Sequence, residues 1–246
     1  MKKLFSMVFW ATALVVGLSL VACGGDEPES NISKAPEIKT KVTDDYVTIE
    51  AVGEGDVKLY FAQDLKDPIE NPTTYLRSFK DFPVNLCATA QQPGKEVSQP
   101  TYATVTVPFA EVPKVVDVWS DPVVKDKPYI HYHINLFQDS SEIFLHNVTF
   151  TIGDSESPAM NVLIKAPAEF NKDNRTYYLR GTDIIPFLLR GNTRVPVASM
   201  PVTNFDCYVD VKEMTYSISF DCHGGQYSNA GKLTTTIPIE VVADVN

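Results

Sequence analysis

The chain has 246 residues, 44% of them hydrophobic, with 17 prolines and a formal net charge of −10. This length suits one large or two small domains, and the acidic balance excludes the usual nucleic-acid binder, which carries a basic patch. Abundant Val, Ile, Thr and Tyr, with few Ala- and Leu-rich stretches, predict an all-β chain.

The first residues read as an address. Lys2 and Lys3 precede an apolar run from Leu4 to Val21, and a small residue precedes Cys23. The run lies near the lower limit for a spanning helix, roughly 17–25 residues, and no positive flank follows it. Leu20, Val21, Ala22 and Cys23 resemble the lipobox of bacterial lipoprotein signals. That resemblance makes residues 1–22 a signal peptide and implies cleavage before Cys23, diacylation of its sulfur and acylation of the new amine. Each buried CH₂ contributes about 0.8 kcal/mol, so several acyl chains hold where one does not. Gly24 in place of Asp argues against inner-membrane retention. Asp26, Glu27 and Glu29 resemble the export signal of Bacteroidetes-type surface lipoproteins, which implies an outer-membrane, cell-surface location. Loss of residues 1–22 removes two lysines and no acids, so 224 residues remain and the charge moves to −12. An anionic surface repels such a chain, and the lipid must hold it.

Residues 23–35 read as an acidic tether. Beyond Pro36, Val47, Ile49 and Ala51 alternate with polar residues, as do Val57, Leu59 and Phe61 after the turn at Gly53-Glu54-Gly55. The stretch from Gln63 to Pro83 shows no clear core strand. Val84, Leu86, Ala88 and Ala90 then alternate, and a last strand is expected from Thr101 to Val107. Turn signals at this spacing predict a small sandwich over 36–108. Tyr60, Phe61, Asp64, Pro68, Leu86, Ala88, Ala90, Gly94 and Ser98 resemble the immunoglobulin-like modules at the C-terminal ends of bacterial chitobiases. Leu65 replaces that family's Gly, so the turn there must be built differently. The resemblance implies a spacer or docking unit without chemistry.

A short hinge over 108–113 leads into a second block, 114–246. Strands are expected at about 129–137, 142–152, 160–166, 176–180, 204–211, 214–222 and 232–241. The segment Asp183 to Arg190 reads as a helical turn or an edge strand, since Pro186 opposes a long helix or a central strand. Sequential antiparallel strands suit an up-and-down barrel or a half-open sheet wrapped on itself. Ile143-Phe144-Leu145, Val148-Thr149-Phe150, Ser157 to Asn161, Tyr178 and Val202-Thr203-Asn204 resemble the lipocalin-like (calycin-like) domains of Bacteroidetes lipoproteins. The resemblance implies fold and location, and no reaction.

Of four cysteines, the lipobox takes Cys23, which leaves Cys87, Cys207 and Cys222. A turn near Lys212-Glu213 sets Cys207 opposite residue 218 or 219, not 222, so free and mostly buried thiols are expected. Histidine forms the one constellation for chemistry. His131 and His133 share a strand face. A hairpin turning at Asp139-Ser140 sets His133 directly opposite His146, with Cβ atoms about 4.5–5.5 Å apart and within range of a shared metal. Three histidines with an open position make a catalytic-zinc pattern. The opposing reading is a solvent-facing cluster, because Ile134, Leu136, Ile143 and Leu145 fill the other face, and a bulge expected near His146-Asn147 disturbs the geometry. Trp119, Tyr129, Tyr132, Tyr177 and Tyr178 are either sugar-stacking or packing residues. The sequence reads as a non-enzymatic, lipid-anchored surface protein that binds a small ligand, a glycan or a surface protein, with no cofactor implied. The alternatives are a metal-dependent hydrolase using His131, His133 and His146, or an architectural adhesion component.

Overall fold

The computed structural model describes residues 31–124, 126–152, 155–222 and 224–235. The signal peptide, Cys23, the tether as far as residue 30, His223 and the expected strand residues 236–241 lie outside them. The described chain is all β and forms two compact units, 31–109 and 110–235.

The first unit contains β1 (Glu37–Val42), β2 (Tyr46–Val52), β3 (Asp56–Phe61), β4 (Asp64–Ile69), β5 (Thr73–Leu76), β6 (Phe82–Gln91) and β7 (Thr101–Val107). A three-stranded sheet runs β1-β2-β5 and a four-stranded sheet β4-β3-β6-β7, all antiparallel. Alternation buries Val47, Ile49 and Ala51 from one sheet and Leu59, Val84, Leu86, Ala88 and Ala90 from the other. Two expectations need correction. The stretch from Gln63 to Pro83 holds β4 and β5, and Tyr75 of β5 is fully buried against Phe82, ring centroids 6.3 Å apart. Its four residues show too few alternations to read as a strand beside Pro72. The tether also ends earlier than residue 35. Ser33 bonds through its backbone N–H to the Glu96 carbonyl at 2.9 Å, and its hydroxyl takes the Gln92 N–H at 2.9 Å.

The second unit contains β8 (Val115–Asp121), β9 (Tyr129–Asn135), β10 (Ser140–Val148), β11 (Thr151–Ile152), β12 (Ser155–Glu156), β13 (Met160–Lys165) and β14 (Ala168–Asn171). It continues with β15 (Thr176–Gly181), β16 (Phe187–Arg190), β17 (Thr193–Pro196), β18 (Val202–Asp210), β19 (Thr215–Cys222) and β20 (Gly225–Thr234). Eleven of these form one antiparallel sheet, in the order β14-β15-β18-β19-β20-β8-β9-β10-β13-β16-β17. Only residues 166 and 167 separate β13 from β14, although eight strand spacings lie between them in the sheet. Laid flat, those spacings span about 38 Å, whereas three peptide units reach at most about 11 Å. The sheet must therefore curl, and it is a half-barrel with edges at β14 and β17. Asp183 to Arg190, expected as a helical turn or an edge strand, is neither: Phe187–Arg190 begins directly after Pro186 and pairs on both sides, between β13 and β17, because the proline stands before the paired residues. The last strand starts at Gly225, earlier than expected, and β14 and β17 are half-exposed or exposed strands of only four residues, too short for a period to show.

Three hairpins of this unit share one turn. Asn135, Asn171 and Asp210 end their strands and accept N–H bonds from the following loop through their side-chain oxygens, at 2.8–3.4 Å. Each loop has four residues, its last in the left-handed region: Asp139 (φ 46), Arg175 (φ 56) and Met214 (φ 52). A Ser or Thr then opens the next strand, so Asn135 faces Ser140, Asn171 faces Thr176 and Asp210 faces Thr215. The side-chain bond mimics a backbone turn and fixes the loop length.

Candidate functional site

Strands β8, β9 and β10 bury alternate residues: Val116 and Val118, then Ile130, Tyr132 and Ile134, then Ser141, Ile143 and Leu145. The intervening side chains stand half-exposed on the outer face, and the register lines them up in rows across the strands. One row is Asp117, His133, Glu142 and Lys165; the next is Trp119, His131 and Phe144; a third is Tyr129 and His146.

The second row is a stack. Trp119 and His131 lie 4.2 Å apart with planes 2° from parallel, and Phe144 covers the other face of His131 at 5.1 Å. Tyr129 stacks on His146 at 4.2 Å. Strand spacing is about 4.8 Å, so upright rings on neighbouring strands meet face to face. The faces that these rings turn toward one another are occupied, and His131 is covered on both sides.

The first row is ionic. Asp117 accepts a hydrogen bond from Nε2 of His131 at 2.7 Å and one from Nδ1 of His133 at 3.3 Å. Burial opposes ionisation of this carboxyl, yet the bonds and charges of His131 and His133 outweigh it and hold the group well below the usual carboxylate range. Glu142 accepts from Lys165 at 2.9 Å and from Arg194 at 2.7 and 3.2 Å. Burial raises its pKa, but Arg194 and Lys165 reverse that and leave it lowered. Burial first, and then the charge of His131, push the His146 imidazole below its ordinary value. Beside this row lies an open groove of about 610 Å³ bordered by His133, Ser140, Glu142, Lys165 and Pro167, a volume typical of small-molecule sites.

Among the described residues, aromatic rings pack against one another on the inner face. Tyr132 and Tyr216 meet at 5.7 Å, and Phe220 packs against Phe150, Phe205 and Tyr227 at 5.0–6.1 Å. An apolar cavity between Met160, Leu188, Met200 and Phe220 measures only about 20 Å³, room for about one water.

The structure brings His131 and His133 together on one face, as their spacing predicts, but through Asp117. His133 faces Glu142, and His146 faces Tyr129. The expected opposition of His133 and His146 is overturned because the Asn135 turn centres the hairpin two residues earlier. The shift is even, so the face is right and the partners are wrong. The bulge expected near His146-Asn147 is present: the register slips between Leu145 and Val148, and Asn147 has φ 52. Among the described residues no group of three His, Cys, Asp or Glu is placed to hold a metal ion. Tyr132 and Tyr177 are core residues, the latter with its hydroxyl donating to the Pro113 carbonyl. Trp119 and Tyr129 join the rows, and Tyr178 lies elsewhere, beneath Arg180. Sequence reasoning missed Asp117, Phe144, Lys165 and Arg194; the alternation Val116-Asp117-Val118-Trp119 holds the one signal, its parity.

Cys87, Cys207 and Cys222 are free and buried, and Cys207 faces Ile218. No protein-family model, curated protein or solved structure matches this chain.

Proposed function

We propose that this chain is a non-enzymatic surface lipoprotein of the outer membrane, held by acyl chains on Cys23, whose half-barrel binds a glycan or a surface protein on the outside of its sheet. One observation carries this reading. The rows Asp117–His133–Glu142 and Trp119–His131–Phe144 stand half-exposed beside an open groove, while aromatic rings pack against one another on the inner face of the described residues. Imidazole, carboxylate and ammonium groups set among ring edges suit a ligand with many hydroxyl or amide groups. The Asp117 and Glu142 carboxylates are each engaged by two partners, which favours binding over acid–base chemistry. A hydrolase reading would need His131 and His133 to leave Asp117 and His146 to leave Tyr129. The division of the first unit into sheets of three and four strands supports an immunoglobulin-like spacer.

Trp10 and Trp119 are the two tryptophans, so after loss of residues 1–22 the emission of Trp119 reports on this face alone. Glycans or partner proteins that raise the melting temperature should also change that emission. Stabilisation by a ligand that leaves Trp119 emission unchanged, and that survives Trp119→Ala, would refute the outer-face reading. The anchor is tested separately: labelled palmitate should enter the wild-type chain and not Cys23→Ala.

A further inference from the structure

Strand β6 departs once from its alternation. Pro83, Asn85 and Thr89 take outward positions and reach solvent, yet Cys87, which shares their parity, is 1% exposed. The register gives the cause. Cys87 stands between Tyr60 of β3 and Tyr102 of β7, and the Tyr102 hydroxyl meets its thiol. Tyr102 therefore lies across the strands toward Cys87 instead of standing upright. Its ring is 59% exposed, the highest value among the large apolar side chains described. The neighbouring row is small: the Ala62 N–H bonds the Asn85 carbonyl at 2.9 Å, and Asn85 faces Thr104. The step down from the tyrosines to this row makes a groove of about 450 Å³ bordered by Tyr102, Asn85, Thr104 and Gln63, within the range of small-molecule sites. The Thr104 hydroxyl donates to Oδ1 of Asn85 at 2.8 Å, which fixes that carboxamide and leaves its N–H₂ group as a donor at the groove.

From this we infer that the outer face of the β4-β3-β6-β7 sheet is a carbohydrate site, with Tyr102 as the stacking platform and Asn85 and Gln63 as the hydrogen-bonding groups. A pyranose has two unlike surfaces, a face of C–H groups and a rim of hydroxyls that both donate and accept. An exposed ring held in place matches the first, and carboxamides, which also donate and accept, match the second. An aliphatic side chain would use the ring and leave both amides without partners. A phosphate or carboxylate would use the amides and find no cation among the residues that border the groove. With a formal net charge of −10 the chain repels acidic sugars, so the ligand is a neutral one. This site lies in the first unit and rests neither on the rows of the half-barrel nor on the lipid anchor.

The test is saturation-transfer NMR of the full chain, in a detergent with a zwitterionic headgroup, titrated with linear neutral hexaoses of glucose, mannose and galactose. Wild type should bind at least one of them. Tyr102→Leu keeps an apolar side chain without a ring and should weaken that binding by on the order of tenfold. Tyr102→Phe keeps the ring and should bind much as wild type does. Asn85→Ala should weaken binding about fivefold. Both positions are exposed, so urea midpoints should stay close to that of wild type and keep folding apart from binding. Failure of wild type to bind any of the three hexaoses overturns the inference. So does a Tyr102→Leu chain that binds as wild type does, which would put the sugar elsewhere, or a Tyr102→Phe chain that binds as weakly as Tyr102→Leu.

Discussion

Replacing Asp117 by Asn tests the ionic row most directly. The side chain is 24% exposed and accepts bonds at 2.7 and 3.3 Å from two imidazoles. A hydrogen bond to a charged group contributes about 1.5–3 kcal/mol. Partial exposure and salt reduce that value, and Asn keeps one acceptor oxygen while turning an N–H₂ group toward the other imidazole. The expected loss is about 1–2 kcal/mol, or roughly 3–8 °C in Tm for a unit of this size. The carboxyl is held below its unfolded value of about 3.9. Its contribution is therefore full above about pH 4 and disappears as pH falls through the folded pKa. Urea unfolding followed by Trp119 emission reports on this unit. The wild type should exceed Asp117→Asn at pH 6, and the gap should narrow progressively as pH falls below about 4. A gap under about 0.5 kcal/mol at pH 6, or one that persists undiminished in acid, would refute the argument that the histidines hold Asp117 ionised.

Three further outcomes follow from particular side chains. His146 has its folded pKa pushed below the unfolded value, so its contribution is present above about pH 6.5 and is lost as pH falls through the folded pKa; His146→Gln should flatten the fall in stability between pH 7 and 5, and parallel curves would contradict it. The Tyr132 hydroxyl is buried, and among the described residues it has only the Cys207 thiol, a weak acceptor, to donate to. Tyr132→Phe should therefore be neutral or stabilise by up to about 1 kcal/mol, and a loss above 1 kcal/mol in denaturant titration would reveal a partner. Met214 sits at φ 52, so Met214→Gly should gain up to about 1 kcal/mol while Met214→Val loses at least that much; equal midpoints for the two variants would remove strain from the account of the turn.

Alternation along the chain determined that the fold is all β, which side chains face inward on β9 and β10, that the histidines face outward, and where β10 bulges. Each is a local property of a pleated strand, whose side chains change face at every residue. The Asp210 hairpin was legible too, with Cys207 facing Ile218, one of the two partners expected for it, because the turn was placed within its true loop. The Asn135 hairpin was not: Asp139-Ser140 looked like a tight turn, while the deciding bond is donated by the Phe137 N–H to the Asn135 side-chain oxygen. Short strands such as β5, β14 and β17 hold too few residues for a period to show. The pairing of Asp117 with two histidines, the reach of Lys165 and Arg194 to Glu142, and the closing curl that sets β14 directly after β13 were decided only by the tertiary structure. Facing is written in neighbouring residues, whereas partnership across strands depends on loop geometry and on the path of the whole sheet. A slip by an even number of residues keeps every face and changes every partner.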